Sequence, residues 1–292
     1  MLRAGPFSDE RVIRTINRRF VPLYFDLSPA GAAADGLARQ LVVKVKPALG
    51  GPAVETPPLL VVTPGGALLS ETSNYASEDE LLSALRAVLE SHPEWNEPGE
   101  EERRLATSGT PIERANLLFD LGDEAAARTL LKESSDADAA VLLARFCRLA
   151  RDWEGVEQAL ARVKGAVPAG VMRDAQLERA WLAYARRDAA AAIAEIGKWT
   201  KESPRYSEAR YVVGLAQLRR DSRRGKLEAL ATWKALIDCC SQDPWVYRAD
   251  WAYTQVASGS DGHGDFSTGG ERISPLGRIG YMGRRNPDLD LR

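Results

Sequence analysis

Residues 146–160, FCRLARDWEGVEQAL, carry the pattern that decides the fold of most of this chain. An apolar segment with helical spacing ends in a short turn at Asp152, and a second segment with small residues follows. The stretch therefore predicts two helices joined by a tight turn.

The same pattern recurs on both sides of this stretch. It returns in residues 118–131 (LFDLGDEAAARTLL), 182–196 (LAYARRDAAAAIAEI) and 215–233 (LAQLRRDSRRGKLEALATW). The turns recur roughly every 30 to 36 residues, close to the period of a helix-turn-helix repeat, at Asp123, Asp152, Asp188 and Asp221. Prolines, which cannot continue a helix, are expected to end successive second helices at Pro168, Pro204 and Pro244. These observations predict a helical repeat domain over residues 111–256.

This region resembles the tetratricopeptide repeat family. Small residues that let paired helices approach closely are present at Ala144, Ala180, Ala192 and Gly214. Bulky complements are present at Trp181, Tyr184, Trp199, Tyr211 and Trp233. The resemblance implies an α-solenoid with a concave binding surface, and another kind of α-hairpin solenoid would preserve most of this reasoning.

A last helix is predicted to begin at Asp243-Pro244 and to carry Trp245, Tyr247, Trp251 and Tyr253. A solenoid needs a terminal helix to cover its final hydrophobic face, so we expect this helix to close the stack. An aromatic platform for a ligand is the alternative interpretation of the same residues.

The first part of the chain has a different pattern. Residues 7–27 (FSDERVIRTINRRFVPLYFDL) predict a helix from Glu10 to about Arg19 and then a strand. Residues 55–66 (ETPPLLVVTPGG) predict a strand and a tight turn, and a second strand follows at residues 67–69. Residues 77–89 (SEDELLSALRAVL) open with a capping box and predict a helix that ends near Pro93. A further strand candidate lies at residues 41–46.

This order of elements resembles the thioredoxin-like superfamily. The resemblance implies that Pro57 follows a cis peptide bond and faces the position of the family's active site. The Cys-x-x-Cys motif and the strand before it would lie upstream of Phe7, where this sequence has six residues. We therefore expect an α/β domain that lacks the motif and is incomplete in its sheet, unless the native start lies upstream of Met1.

The domain organisation predicted from these patterns has four parts. Residues 1–92 form the thioredoxin-like domain, and residues 93–110 form a solvated linker or short exposed helix. The repeat domain at 111–256 is followed by a flexible tail rich in glycine and arginine at 257–292. The fold class is thus α/β plus all-α. Disorder is expected in the tail, and the alternative is that a stretch with Ile273, Leu276 and Tyr281 docks into a groove on this chain or a partner.

Composition excludes several classes of function. The 39 basic and 41 acidic side chains leave a net charge of −2, so no overall field attracts nucleic acid or an anionic membrane. No run of residues is long and apolar enough to span a membrane, and the sparse cysteines fit a reducing compartment. We therefore expect a bacterial-type soluble protein of the cytoplasm.

The sequence also has few of the side chains that commonly serve in catalysis or metal binding. The two histidines, His92 and His263, cannot assemble a histidine-based metal site. Cys147 is predicted to lie in the core, and Cys239-Cys240 is interpreted as helix packing in preference to a redox pair. No phosphate-binding loop or nucleophile elbow is present, so no catalytic residue, metal or cofactor is expected.

The sequence therefore favours a non-catalytic scaffold that binds a protein or peptide partner. The contact residues expected on the first helices are Arg145, Arg148, Arg179, Arg210 and Gln217. Their arginines would suit carboxylate-bearing ligands. The alternative function is that of a thiol-disulfide oxidoreductase or redox chaperone whose Cys-x-x-Cys lies upstream of Met1. A further alternative is a subunit whose incomplete sheet is completed by a strand from a partner, or from another copy in an oligomer.

Overall fold

The structure is a computed structural model that describes residues 7, 9–22, 59–63, 65–72, 77–220, 222–240, 243–257 and 286–290. The chain divides into two compact units. Arg11–Gly99 form the amino-terminal unit, and Met1–Glu10 together with Glu100–Arg292 form the helical unit. The described residues are mostly helical, with twelve α-helices and one two-stranded sheet.

Two amphipathic helices supply the buried side chains of the amino-terminal unit. Helix α1 (Glu10–Arg19) buries Val12 and Ile16. Helix α2 (Glu78–Ser91) begins as predicted at Ser77, whose hydroxyl accepts a hydrogen bond from the Glu80 amide. Its buried residues recur with helical spacing and are Leu81, Leu82, Leu85, Val88 and Leu89.

The predicted hairpin is present in the same unit. Strand β1 (Leu59–Val62) pairs with β2 (Leu68–Thr72) in antiparallel register, with Leu59 opposite Thr72 and a bulge between Val61 and Val62. Gly66 has a φ of 83°, which glycine adopts at little cost because it has no Cβ. The turn residues therefore fix the point at which the chain reverses.

Several predicted features of this unit lie outside the described residues. They are the greater part of the strand expected after Arg19, the strand candidate at residues 41–46, and Pro57 with its expected cis bond.

The helical unit begins with α3 (Glu100–Ser108), which lies within the segment predicted as a linker and buries Glu102. Four helix hairpins follow, and then a single helix. The hairpins are α4 (Pro111–Asp120) with α5 (Glu124–Glu133), α6 (Ala137–Leu149) with α7 (Trp153–Leu160), α8 (Ala169–Ala185) with α9 (Ala189–Ile196), and α10 (Tyr206–Leu218) with α11 (Arg223–Cys239). The last helix is α12 (Pro244–Ala257), and a 3₁₀ helix at Pro287–Asp290 is described beyond it.

The turns of the first three hairpins share one backbone geometry. A residue in the left-handed conformation precedes the aspartate that the sequence marked, and that aspartate caps the next helix. Asp152, for example, donates its amide to the Cys147 carbonyl oxygen (2.8 Å) and accepts from the Gly155 amide (2.9 Å). The fourth hairpin is capped by Ser222 instead, and Asp221 lies outside the described residues.

Small residues and bulky aromatic residues are both buried inside the hairpins, as the sequence predicted. Ala144, Ala180 and Ala192 are buried. Gly214 on α10 lies so close to Trp233 on α11 that a Cβ at position 214 would stand 2.2 Å from the indole nitrogen. The absence of a side chain at Gly214 is therefore what allows α10 and α11 to approach.

The first helices of successive hairpins contact one another along the helical unit. Helix α4 contacts α6, α6 contacts α8, α8 contacts α10, and α10 contacts α12. We call this array of helices the first-helix face. Helix α12 buries Val246, Ala249 and Ala252 against the core of the last two hairpins, as expected of a helix that closes the stack.

Candidate functional site

A short segment from near the end of the chain binds to the first-helix face. This tail segment, Asn286–Asp290, contacts α8, α10 and α12 through side chains that lie far from it in the sequence. Asn286 is 1 % exposed and Asp288 is 7 % exposed, so both polar side chains are removed from water. Burial of this kind is costly unless each polar group finds a partner.

Asp288 makes the largest number of these contacts. Its carboxylate Oδ2 accepts hydrogen bonds from the Tyr211 hydroxyl (3.0 Å) and from Arg248 Nη1 (2.8 Å). Its main-chain carbonyl oxygen accepts from the Tyr184 hydroxyl (2.6 Å). The arginine–carboxylate contact is charge-assisted, and such bonds are about twice as strong as neutral ones.

Asn286 uses both ends of its amide. Its Nδ2 donates to the Tyr211 hydroxyl (2.9 Å), and its Oδ1 accepts from the Asp288 amide (3.0 Å), which closes a local turn. Its main-chain amide donates to Gln255 Oε1 (2.9 Å). We call the four groups that receive the segment, Tyr184, Tyr211, Arg248 and Gln255, the tyrosine pocket.

Aromatic rings form the floor of the tyrosine pocket. Trp245 lies 5.5 Å from Tyr211 and 6.1 Å from Trp181, measured between ring centroids. The guanidinium carbon of Arg248 stands 5.2 Å from the Trp245 ring, a cation–π distance that helps to fix the arginine. Leu289 of the tail segment packs against the same hydrophobic core. The pocket thus combines an apolar floor with a few fixed polar groups, which is the usual composition of a ligand site.

The environment keeps the Tyr211 phenol neutral. Burial raises the pKa of Tyr211 well above its ordinary value, and the nearby charge of Asp288 raises it further. The hydroxyl therefore keeps its proton and remains a donor to the Asp288 carboxylate at all physiological pH values.

A second cluster of charged side chains lies beneath the first-helix face. Arg148 Nε donates to Glu178 (2.6 Å), and its Nη2 lies 3.0 Å from Glu208. Arg205 contacts the same two carboxylates at 3.1 Å and 2.8 Å. We call these four residues, from α6, α8 and the start of α10, the arginine–glutamate network. All but Arg205 are at most 6 % exposed.

The charges of the network are mutually stabilising. Burial alone raises the pKa of the Glu208 carboxyl, but the charges of Arg205 and Arg148 outweigh that effect and lower the pKa to about 2. Trp181 Nε1 also donates to Glu208 (3.0 Å). Because the Trp181 ring lies 6.2 Å from Tyr184, the same tryptophan contacts both the network and the tyrosine pocket.

The five contact residues predicted from the sequence occupy different places. Arg148 belongs to the buried network, and Arg145 pairs with Glu10 of the same unit (2.8 Å). Gln217 accepts a hydrogen bond from Thr232 (2.7 Å) on the second helix of its own hairpin. Arg179 and Arg210 are partly exposed on α8 and α10. Within the described part of the chain, none of the five donates to the tail segment.

The residues that do bind the tail segment were missed or given another role. Tyr184 and Tyr211 were interpreted as core complements, and both are buried, but their hydroxyls point to polar partners. A buried tyrosine hydroxyl needs a hydrogen-bond partner, which is the signal that could have identified them. Arg248 stands among the aromatic residues of the last helix, so that helix both closes the stack and contributes to a binding surface.

The sulfur atoms do not form an exposed nucleophilic site. Cys147 is buried, and burial, followed by the charge of Asp152, raises the pKa of its thiol. Cys239 and Cys240 are joined by a disulfide, so the interpretation of this pair as helix packing alone was wrong. Among the described residues there is no group of three or more His, Cys, Asp or Glu side chains that could hold a metal ion.

Comparisons with other proteins leave the site to be interpreted from its geometry. No protein-family model, curated protein or solved structure matches the chain. Within the described ranges, no helix has both the length and the apolar character needed to cross a membrane.

Proposed function

We propose that this chain is a non-catalytic scaffold that binds a protein or peptide segment on the first-helix face. The helix hairpins are then tetratricopeptide-like repeats, and the amino-terminal unit is a degenerate thioredoxin-like domain. The observation that carries the proposal is the tail segment itself, because a short piece of chain, folded as a turn and a 3₁₀ helix, already binds to this face through side chains of three helices.

The chemistry of the face supports binding over catalysis. A catalytic site needs a nucleophile or an acid–base group with an open path to substrate. In the tyrosine pocket the polar groups are hydroxyls, an amide and a guanidinium, each of which recognises a ligand by hydrogen bonding. Stacked helix pairs present such groups in a fixed row, which suits a linear ligand.

Affinity capture with charge-reversed variants tests this function. The full-length chain would be used as bait in a lysate of the cells that express it, beside the double variant Arg179→Glu/Arg210→Glu on the first helices α8 and α10. The matched control is Lys198→Glu/Lys201→Glu, two exposed lysines between α9 and α10. Proteins retained by wild type and control but lost with the first-helix variant are expected. Equal capture by all three baits would contradict the proposal.

One observation favours a second candidate, a redox function. Adjacent cysteines joined by a disulfide, as Cys239 and Cys240 are, form a two-electron couple that a reductant can open. An insulin-reduction assay on the full chain distinguishes the two functions. Turnover that disappears in Cys239→Ser would support the redox function, whereas rates at background support the scaffold.

A further inference from the structure

The tail segment has the features of a ligand that occupies a preformed site. The side chains of Asn286 and Asp288 both bond to the tyrosine pocket, and the two tyrosine hydroxyls of the pocket bond to the segment. The two partners belong to parts of the chain separated by residues 258–285, roughly 28 residues. A tether of that length can span far more than the diameter of a helix hairpin, so covalent geometry does not force the segment into this place.

The contacts also define what the pocket recognises. The Asn286 side chain contacts the pocket through Nδ2, which donates to the Tyr211 hydroxyl, while its Oδ1 accepts from the Asp288 amide and shapes the segment itself. The Asp288 carboxylate accepts from an arginine and a tyrosine of the pocket. Leu289 supplies an apolar anchor on the core. Pro287 opens the 3₁₀ helix, where its fixed φ lowers the entropy lost on binding. Three residues of an Asn-Pro-Asp-Leu core, Asn286, Asp288 and Leu289, therefore each contact the pocket or its core.

We propose that the tyrosine pocket is a recognition site for peptide segments with an Asn-Pro-Asp-Leu core, and that the chain's own tail occupies it as an intramolecular competitor. This inference rests on the proposed function, because it names the ligand class of the same face. Because the segment and the pocket belong to one chain, the segment competes intramolecularly and weakens the apparent affinity for any other peptide. A segment from a partner protein can occupy the pocket only if it binds strongly enough to displace the tail, or after the tail has been released.

The test uses a fluorescent peptide with the sequence of residues 283–292, GRRNPDLDLR, and the full-length chain. Binding is measured by polarisation for wild type and for the tail-released variant Asn286→Ala/Asp288→Ala. The released variant is expected to bind the peptide at least ~10-fold more tightly than wild type, because its own tail no longer competes. The matched control Asp261→Ala/Asp265→Ala, which changes residues outside the tail segment, is expected to behave as wild type.

The receptor side is tested in the same assay. Adding Arg248→Leu to the released variant removes the charge-assisted bond to the carboxylate and is expected to weaken binding by at least ~10-fold. A peptide with the same composition in scrambled order is expected not to bind. Should the released variant fail to fold, Leu289→Ala keeps the polar contacts but removes the apolar anchor of the tail, and it is expected to bind the peptide more tightly than wild type.

Three results of the binding assay would overturn the inference. They are a folded, tail-released variant that binds the peptide no better than wild type, a scrambled peptide that binds equally well, and an Arg248→Leu substitution without effect. A wild-type dimer in sedimentation that becomes monomeric in the released variant would also overturn it, because the occupant would then come from a second copy. If lysate capture succeeds while the peptide fails, only this inference falls, and if both fail, the proposed function falls with it.

Discussion

Arg151 and Arg187 adopt the left-handed backbone conformation, which is unfavourable for residues with a Cβ. Their φ angles are 57° and 64°, and the equivalent position of the first hairpin is Gly122, with a φ of 86°. The left-handed conformation costs a residue with a Cβ roughly 1–2 kcal/mol, whereas glycine adopts it freely. The turns at Arg151 and Arg187 are therefore strained, whereas the equivalent turn at Gly122 is not.

Substitutions at these turns should change stability in opposite directions. Arg151→Gly and Arg187→Gly are each expected to raise the free energy of unfolding by about 0.5 kcal/mol, because the relief of strain exceeds the added freedom of the unfolded chain. Gly122→Ala is expected to lower it by about 1 kcal/mol. Urea denaturation followed by circular dichroism measures all three, and a loss of stability in both arginine variants would contradict the interpretation.

At the level of the elements, the contact between α10 and α11 depends on one missing side chain. Gly214→Ala places a Cβ against the Trp233 ring and should destabilise the chain by about 1–3 kcal/mol through overpacking. Gly170→Ala on α8 is the matched control. It has nothing within 4 Å of the added carbon, so it should be neutral or stabilising by up to ~1 kcal/mol. Equal melting temperatures for the two variants would contradict this account of the hairpin.

The arginine–glutamate network joins three elements and should be sensitive to the loss of one partner. Glu208→Gln leaves two arginines short of a buried countercharge and is expected to cost about 3–5 kcal/mol. Glu157→Gln is the control, because Glu157 pairs with Arg186 at the surface with both side chains 53 % exposed. Its expected cost is below ~1 kcal/mol. Chemical denaturation at neutral pH compares the two, and similar costs would mean that burial adds nothing to the network.

The same network makes the free energy of unfolding depend on pH in the acidic range. The pKa of Glu208 is lowered from 4.5 to about 2 in the folded chain, so its contribution is fully present above pH 4.5 and is lost as pH falls towards 2. Wild type should therefore lose stability across this interval more steeply than Glu208→Gln. Denaturation midpoints measured from pH 5 to pH 2.5 check the difference, and parallel curves would contradict it.

For the whole molecule, the number of cysteines that react with a thiol reagent is expected to depend on whether the chain is folded and whether the disulfide is reduced. The native chain is expected to react with no equivalent of a thiol reagent, because Cys147 is buried with a raised pKa and the other two cysteines are disulfide-bonded. Denaturation without reductant should expose one thiol, and denaturation with reductant should expose three. Three thiols without reductant would mean that the disulfide is absent.

The features that sequence could predict are those that depend on neighbouring residues. Ser77, Asp123, Asp152 and Asp188 cap helices because their partners lie three residues away, and the glycine turn at Gly66 is equally local. The arginine–glutamate network was not predicted, since its four side chains come from separate helices and only packing shows that Arg148 points inward. Contact residues on the first helices were predicted from periodicity, but the contacts of the tail segment with α8, α10 and α12 involve other side chains, which periodicity does not encode.

The aromatic floor of the tyrosine pocket should make the tryptophan fluorescence of the chain depend on whether the pocket is occupied. The indoles of Trp181 and Trp245 lie near the two tyrosines that hold Asp288, and the first is buried whereas the second is partly buried. When the last residues depart, solvent would reach these rings and move their emission to longer wavelength. The polypeptide therefore carries its own unlabelled reporter of occupancy, and a stopped-flow trace of that emission would time the exchange directly.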